Sequence, residues 1–174
     1  MIGVILLLLP AAAANMAPVF VRHMPFLDMP LDLGLTYRGT RMLGDNKTVR
    51  GLVTGLVAST IVMIALATLS DTLAPYALID YGTIDPLTWG PLIGFGALFG
   101  DAVKSFFKRQ RGIPPGHSWP PFDQIDWIAG ALVILLPVAV LPISAYLLAI
   151  FLGGLLHPLV NIAGYYLRLK PSML

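Results

Sequence analysis

The chain alternates long apolar stretches with shorter polar connections. A helix needs about 20 predominantly apolar residues to cross a bilayer. The last apolar stretch, Trp127 to Leu167, contains no Asp, Glu, Lys or Arg over about forty residues and is therefore long enough for two helices. The pattern predicts a bundle of five membrane-spanning helices over residues 1–21, 52–70, 87–107, 123–141 and 144–167.

Two features of these spans depend on single residues. We place the break between the last two spans in Val140–Ser144, because Pro142 lacks an amide hydrogen and disfavours helix at the residue before it. Pro137 is a competing break or a kink. The first stretch resembles a signal peptide in having small residues after its leucines, but it lacks the positively charged segment that such a peptide needs. We expect a retained span, which Pro10 can kink.

Composition supports a membrane protein. Of the 174 residues, 57% are hydrophobic and 11% are charged, and the mean hydropathy is +0.81. Soluble domains contain roughly 45–50% apolar and about 25% charged residues. We therefore predict one all-α integral membrane domain without a large soluble domain. The absence of cysteine excludes disulfides, thiolate metal sites and cysteine nucleophiles.

The basic residues are segregated to one side of the predicted bundle. The connection between spans two and three contains three aspartates and no basic residue. Basic residues favour the cytoplasmic side of short connections, so we predict a multi-pass cell-membrane protein with the N-terminus outside. The C-terminus and the connections 22–51 and 108–122 would then be cytoplasmic. The basic residues are Arg22, Arg38, Arg41, Lys47, Arg50, Lys104, Lys108, Arg109, Arg111, Arg168 and Lys170.

Three carboxylates fall at the ends of spans three and four that face the basic connections. Asp101 lies within span three, and Asp123 and Asp126 share one face of the first turn of span four. An ionisable residue within a span is costly and should face a partner or a wet cavity. Three carboxylates at one depth would repel one another unless a cation neutralised them. Structural alternatives stay open: Asp123 and Asp126 can complement a helix dipole, and Asp101 can be an interfacial charge.

The surrounding residues indicate phosphate and metal chemistry. Carboxylate oxygens without cysteine, and with at most one nearby histidine, suit Mg²⁺ or Mn²⁺ better than zinc. Basic residues lie beside them and in the first connection, in the stretch GDNKTVRG, residues 44–51. Acidic groups for a metal and basic groups for phosphate fit a nucleoside triphosphate site. Taken one by one, the basic residues can also be topology signals or contacts with anionic lipid.

The stretch GDAVKSFFKRQRGIPPGHSWPPFDQID, residues 100–126, resembles the signature of the CTP-dependent phosphatidate cytidylyltransferases. That signature combines Gly-Asp, a serine, Lys-Arg, Pro-Gly-His and a paired Asp-x-x-Asp that opens a helix. The form PPGHSWPPFDQID and the five predicted spans are most similar to the archaeal branch, the CDP-archaeol synthases. Ser118 and Trp119 stand where the bacterial pattern has two glycines, Gln124 stands in place of an arginine, and a Lys-Asp pair is missing. These departures weaken assignment to the diacylglycerol branch.

The resemblance implies an enzyme that transfers CMP from CTP to the phosphate of an isoprenoid diether lipid, with Mg²⁺, and releases pyrophosphate. It implies that Asp101, Asp123 and Asp126 hold the metal and, with Lys108, form the catalytic set. No general base is needed, because a lipid phosphate is already an anion. His117 is either a phosphate contact or a structural donor that fixes its connection. The predicted nucleotide contacts are Asn46, Lys47, Thr48, Arg50, Lys104, Lys108 and Arg109.

The expected partners are CTP, an isoprenoid ether lipid phosphate and membrane lipid, with no nucleic acid. A homodimer stays open. The spacings Gly51–Gly55 and Gly96–Gly100 permit close helix contact. His157, Asn161 and Tyr165 form a stripe for interhelical hydrogen bonds or lipid headgroups. A CTP-dependent polyprenol kinase, which would transfer the γ-phosphoryl group, and a small membrane transporter without nucleotide chemistry are the alternative functions.

Overall fold

The computed structural model describes residues 1–115, 117–137 and 139–166, with the backbone alone over 156–166. The described residues are mainly helical with little strand, as the all-α prediction requires. The predicted stripe His157, Asn161 and Tyr165 and the basic residues Arg168 and Lys170 lie outside the described side chains. The elements are α1 Ile2–Phe20, β1 Thr36–Tyr37, β2 Thr40–Arg41, α2 Val49–Thr68, α3 Ser70–Leu73, α4 Pro86–Gln110, α5 Phe122–Leu135 and α6 Ile143–Tyr166.

The five predicted spans fall on α1, α2, α4, α5 and α6. Within the described residues, α1 and α2 are long and apolar enough to cross a membrane, and a shorter apolar stretch covers Ile143–Leu155 of α6. A buried core helix or a signal sequence can have the same length and composition. Helix α4 carries several charges in its last turns, and α5 is only 14 residues long. The number of spans therefore stays a prediction.

The boundary between α5 and α6 differs from the predicted one. The predicted fourth span reaches residue 141, but α5 ends at Leu135. Its C-cap, Leu136, immediately precedes Pro137, which has no amide hydrogen to donate to the preceding turn of the helix. Helix α6 begins at Ile143, directly after Pro142. Both prolines therefore lie between the helices, and the break is wider than Val140–Ser144.

Side-chain caps fix where α2 and α4 begin. The Thr48 hydroxyl accepts a hydrogen bond from Gly51 N at 3.1 Å at the start of α2. Asp85 accepts a hydrogen bond from Thr88 N at 3.0 Å at the start of α4. The bond from the Thr88 hydroxyl holds the pKa of Asp85 below its ordinary value. Such caps satisfy amide groups that have no partner within the helix, so both helices have defined starting points.

Glycines allow the helix backbones to touch. A Cβ atom at Gly96 of α4 would lie 2.7 Å from the carbonyl oxygen of Gly130 of α5, and one at Gly100 would collide with the carbonyl oxygen of Asp126. A Cβ atom at Gly55 of α2 would lie 2.8 Å from the carbonyl oxygen of Ala14 of α1. The predicted small-residue spacings thus do permit close contact. The contact at Gly100 brings the first turns of α5 directly against the charged end of α4.

The connection between α1 and α2 folds back over this end of α4. The strands β1 and β2 form an antiparallel hairpin, and the Tyr37 ring lies 5.7 Å from the Phe106 ring of α4, measured between centroids. Leu31 N donates to the Lys47 carbonyl oxygen at 2.7 Å, which joins the middle of the connection to the residues just before α2. The residues before α2 are therefore held beside the end of α4.

Candidate active site

The three predicted carboxylates meet at one ammonium group. Lys104 Nζ lies 3.0 Å from Asp101 Oδ1, 2.9 Å from Asp123 Oδ1 and 2.9 Å from Asp126 Oδ2. Asp101 and Lys104 are one turn apart on α4, and the other two residues come from the first turns of α5. The close contact of these helices at Gly100 explains how groups from both reach the same point. We call these four residues the Lys104 cluster.

Two further lysines border the Lys104 cluster. Lys47, from the first connection, pairs with Asp101. Lys108 Nζ lies 3.1 Å from Asp123 Oδ1 and also donates to the His117 carbonyl oxygen. Lys108 is buried, so its charge is held between Asp123 and the backbone of the connection from α4 to α5. The structure therefore brings Lys47, Lys104 and Lys108 to the carboxylates.

The donor set fits a divalent ion of the magnesium class, although the described residues contain no preassembled group of three metal-ligating side chains. Oxygens from three carboxylates surround the ammonium of Lys104 at about 3 Å. Asp126 Oδ2 is buried, and the ammonium of Lys104 lies 2.9 Å from it. Mg²⁺ prefers such hard oxygen ligands. The ammonium of Lys104 fills the space among these three carboxylates.

A cavity of about 1090 Å³ opens beside the Lys104 cluster. One wall is polar and cationic, and the other is apolar and belongs mainly to α1 and α4. A smaller polar cavity of about 110 Å³ adjoins the same lysines. The polar wall includes Asn46, Lys47, Lys104, Lys108 and His117, the apolar wall includes Pro18, Val19, Phe95, Phe99 and Val103, and the smaller cavity is lined by Asn46, Lys47, Lys104, Lys108 and Arg109 among others.

Arg50 and Thr48 have structural partners that the sequence analysis does not assign. Arg50 is only 5% exposed, and its guanidinium donates to Asp28 Oδ1 at 2.7 Å and to the Arg22 carbonyl oxygen at 2.9 Å. It also donates to the carbonyl oxygen of Met24. Thr48 caps α2, as described above. Both residues line the larger cavity, but their polar atoms hold the first connection in place.

Asp32 is a buried charge that the sequence analysis misses. It accepts hydrogen bonds from Leu43 N at 2.9 Å and Gly44 N at 3.1 Å, and from Arg41 Nη2 at 2.7 Å. Burial opposes its negative charge, but the Arg41 bond and these amide bonds outweigh burial and hold its pKa below the ordinary value. Asp32 thus closes the turn that precedes Asn46 and Lys47. The Asp-Leu-Gly sequence is typical of a local turn, but nothing in it identifies Arg41.

The fold and the site together define a helical protein with clustered carboxylates and lysines at one end of its bundle. A family model described as CarS-like, CDP-archaeol synthase, matches residues 1–173. The CDP-archaeol synthase of Methanospirillum hungatei is 39% identical over 149 residues, which cover 82% of this chain and 87% of that protein. That of Pyrococcus furiosus is 32% identical over 165 residues, covering 94% and 92%. The chain belongs to the CDP-archaeol synthase family.

A solved structure agrees with this assignment. It is described as an intramembrane enzyme for archaeal membrane lipid biosynthesis, and its sequence is 33% identical. The TM-score is 0.75, with 91% of this chain and 92% of that chain covered. Family membership confirms the resemblance found in residues 100–126 and the predicted class, CTP-dependent nucleotidyltransferase. It favours cytidylyl transfer over the kinase and transporter alternatives.

Proposed function

We propose that this chain transfers a cytidylyl group from CTP to the phosphate of an isoprenoid diether lipid at the cytoplasmic face of the membrane. The observation that carries the proposal is the convergence of three carboxylates on one cation between two unlike cavity walls. Family membership supports the reaction class. The cationic wall suits the nucleotide phosphates, and the apolar wall suits a lipid tail.

The metal of this reaction would be Mg²⁺, held by Asp101, Asp123 and Asp126. When bound, it would neutralise charge on the reacting phosphates. Removal of one of its carboxylates should weaken both its binding and the stabilisation it provides. The meeting of all three carboxylates at one ammonium supports this assignment, because negative charges this close together require a cation.

The lysines would neutralise the triphosphate. Lys47, Lys108 and Arg109 border the small polar cavity, with Asn46 as a hydrogen-bond donor. An oxygen of the lipid phosphate would attack the α-phosphorus of CTP, the bond from that phosphorus to the β-phosphate oxygen would break, and pyrophosphate would leave. Because the attacking phosphate is already an anion, the chain needs no general base. Its contribution is positioning and charge neutralisation, which dominate phosphoryl transfer generally.

The lipid would enter sideways along α4. Phe95, Phe99 and Val103 recur every four residues and are 45%, 55% and 38% exposed. Residues with this spacing share one face of a helix, and this face lines the larger cavity next to Asp101. An apolar wall that reaches the charged end allows a lipid phosphate to approach the site while its tails stay in hydrocarbon. A preference for isoprenoid diether over diacyl tails follows from the family and not from this wall.

The central test uses purified protein with labelled CTP, Mg²⁺ and lipid phosphates. We expect CDP-lipid and pyrophosphate from the isoprenoid diether phosphate, and no product from the Asp126→Asn variant under the same conditions. Phosphorylated lipid with CDP would indicate a kinase instead. Equal or faster turnover of diacyl phosphatidate in a parallel reaction would reject the diether preference and leave the reaction class in place.

Orientation and assembly need separate tests. With the N-terminus outside, a cysteine at Ser118 should label from the cytoplasmic side and a cysteine at Thr83 from outside. The opposite pattern would reverse the orientation and place the site on the outer face. The site residues come from a single chain. A homodimer stays a prediction, which light scattering of the detergent-solubilised protein can check.

A further inference from the structure

Lys104 makes a set of contacts unlike those of the other site cations. Its ammonium has three N–H donors, and it lies within about 3 Å of three carboxylates from two helices. Among the carboxylates of the described residues, Lys108 reaches only Asp123, and Lys47 reaches only Asp101. The Lys104 side chain is 13% exposed, so little water shares this position. Lys104 is therefore the cation at the centre of the cluster, whereas the other two lie at its edge.

A centrally bound divalent ion and this ammonium cannot share the cluster. Mg²⁺ would lie about 2.0–2.1 Å from its carboxylate oxygens, and those oxygens already surround Lys104 Nζ. Two cations that close together would also repel each other strongly in a site with little water. Without any cation, the three carboxylates would repel one another instead. The cluster thus requires one central cation at a time.

We propose that Lys104 is an internal counter-ion that holds the three carboxylates together until Mg²⁺ displaces it. The proposal rests on the magnesium site proposed above. Lys104 also lines the small polar cavity next to Lys47 and Arg109, so the displaced ammonium has an adjacent position that faces the nucleotide phosphates. Lys104 would then contact the triphosphate only after the metal has bound, which couples the two binding events through one side chain.

The direct test measures the Lys104 amine in the parent protein. The detergent-solubilised protein is treated briefly with acetic anhydride, in EDTA or in saturating Mg²⁺ without nucleotide, and acetylation is quantified by mass spectrometry. We expect Lys104 to be protected in EDTA and to become several-fold more reactive with Mg²⁺. The exposed α-amino group of Met1, at the opposite end of the bundle, serves as the internal reference. Equal acetylation of Lys104 in both conditions would overturn the displacement.

A second test measures metal affinity by calorimetry with Mg²⁺ alone. Lys104→Met keeps a long unbranched side chain and removes the competing charge. Its Mg²⁺ affinity should rise about tenfold or more, because a site that is open only part of the time binds its ligand with reduced apparent affinity. Lys108→Met removes a neighbouring charge without opening the centre and should gain clearly less.

The outcomes separate the two proposals. Equal gains in Lys104→Met and Lys108→Met would show a general charge effect and overturn the displacement while leaving the metal site intact. A lack of Mg²⁺ binding to the parent and to both variants would overturn the metal site itself, and the displacement with it. If Lys104→Met does not fold without metal, the acetylation of the parent protein still decides the question.

Discussion

Two buried carboxylate regions of the molecule differ in the donors that neutralise them. Asp32 and Asp126 are 5% and 8% exposed, so burial does not distinguish them. Asp32 is held by backbone amides and Arg41 of its own connection. Asp126 pairs with the ammonium of Lys104, a side chain from another helix. Backbone amides of a closed turn cannot leave, whereas a lysine side chain can move and let another cation in.

This difference separates a structural carboxylate from one that can bind a ligand. A carboxylate that backbone amides already neutralise needs no further partner, and its loss should damage the fold of the first connection. A carboxylate paired with a flexible side chain can exchange that side chain for another cation. Loss of this carboxylate should reduce ligand binding and turnover.

The largest effect should come from the Lys104 cluster. Asp101→Asn, Asp123→Asn and Asp126→Asn should each leave a folded, monodisperse protein in detergent and remove nearly all Mg²⁺-dependent cytidylyl transfer. Loss of a metal ligand forfeits several kcal/mol of transition-state stabilisation, which corresponds to roughly 100-fold or more in rate. The measurement is turnover at saturating CTP over a Mg²⁺ titration.

The matched controls lie at the opposite end of the bundle. Asp71 and Asp80 are exposed aspartates between α2 and α4, and their Asn variants should stay active. Asp80 accepts a bond from Gly82 N at 2.9 Å, which an asparagine oxygen can also accept. Near-parental turnover of any of the three inner variants would remove that residue from the metal site.

The next effect concerns Asp32. Asp32→Ala should lower the free energy of unfolding by about 3 kcal/mol, because it leaves Arg41 and several amides without their buried acceptor. Thermal unfolding in detergent measures this change. Asp45→Ala is the control, since Asp45 also pairs with Arg41, at 3.0 Å, but its side chain is 82% exposed. An exposed pair contributes about 0.2–1 kcal/mol, so equal losses in both variants would contradict the assignment.

The same carboxylate gives a pH prediction. The pKa of Asp32 is lower in the folded state than its ordinary value of 3.8, so its charge stabilises the fold above that pH. As the pH falls below about 3.8 toward the lowered folded pKa, this contribution disappears. The stability difference between the parent and Asp32→Ala should therefore be constant at neutral pH and shrink in acid. A difference that persists unchanged well below this range would show that charge is not its cause.

Much of this arrangement follows from sequence, and the exceptions have physical reasons. The apolar stretches predict the five long helices, and the Asp-x-x-Asp spacing predicts that Asp123 and Asp126 share a face. Their meeting with Asp101 at one ammonium requires the close contact of α4 and α5, which spacing within one helix cannot give. The Asp32–Arg41 bond is a tertiary contact between common residues, so neither residue has a local signal. The predicted end of the fourth span, at residue 141, is wrong because α5 already ends before Pro137, and the sequence pattern favours Pro142 over Pro137 as the break.

Lys47 and Arg50 lie three residues apart but contact different parts of the molecule. Lys47 contacts the Lys104 cluster, and Arg50 contacts the first connection. Lys47 reaches Asp101, so Lys47→Ala should weaken CTP binding by about 1.5–3 kcal/mol, roughly tenfold to a hundredfold, with little change in stability. Arg50 donates to carbonyl oxygens of the first connection, so Arg50→Ala should lower the thermal midpoint. Titration of CTP and thermal unfolding of both variants separate the roles. The reverse pattern would make Arg50 the nucleotide contact.

The smallest effect should come from the hairpin that covers α4. The Tyr37 ring contacts Phe106, and the Arg38 guanidinium lies 5.3 Å above the Tyr37 ring. An aromatic pair contributes about 0.5–1.5 kcal/mol beyond burial, and Tyr37 is still 45% exposed. Tyr37→Ala should therefore raise the KM for CTP by a few-fold, because the hairpin leads into the turn that carries Lys47, while turnover at saturating CTP stays close to that of the parent. Tyr76→Ala, at an exposed tyrosine of the opposite connection, is the control and should change neither value. A fall in turnover with unchanged KM would mean that the hairpin acts on the Lys104 cluster itself, and the two regions would then not be separable.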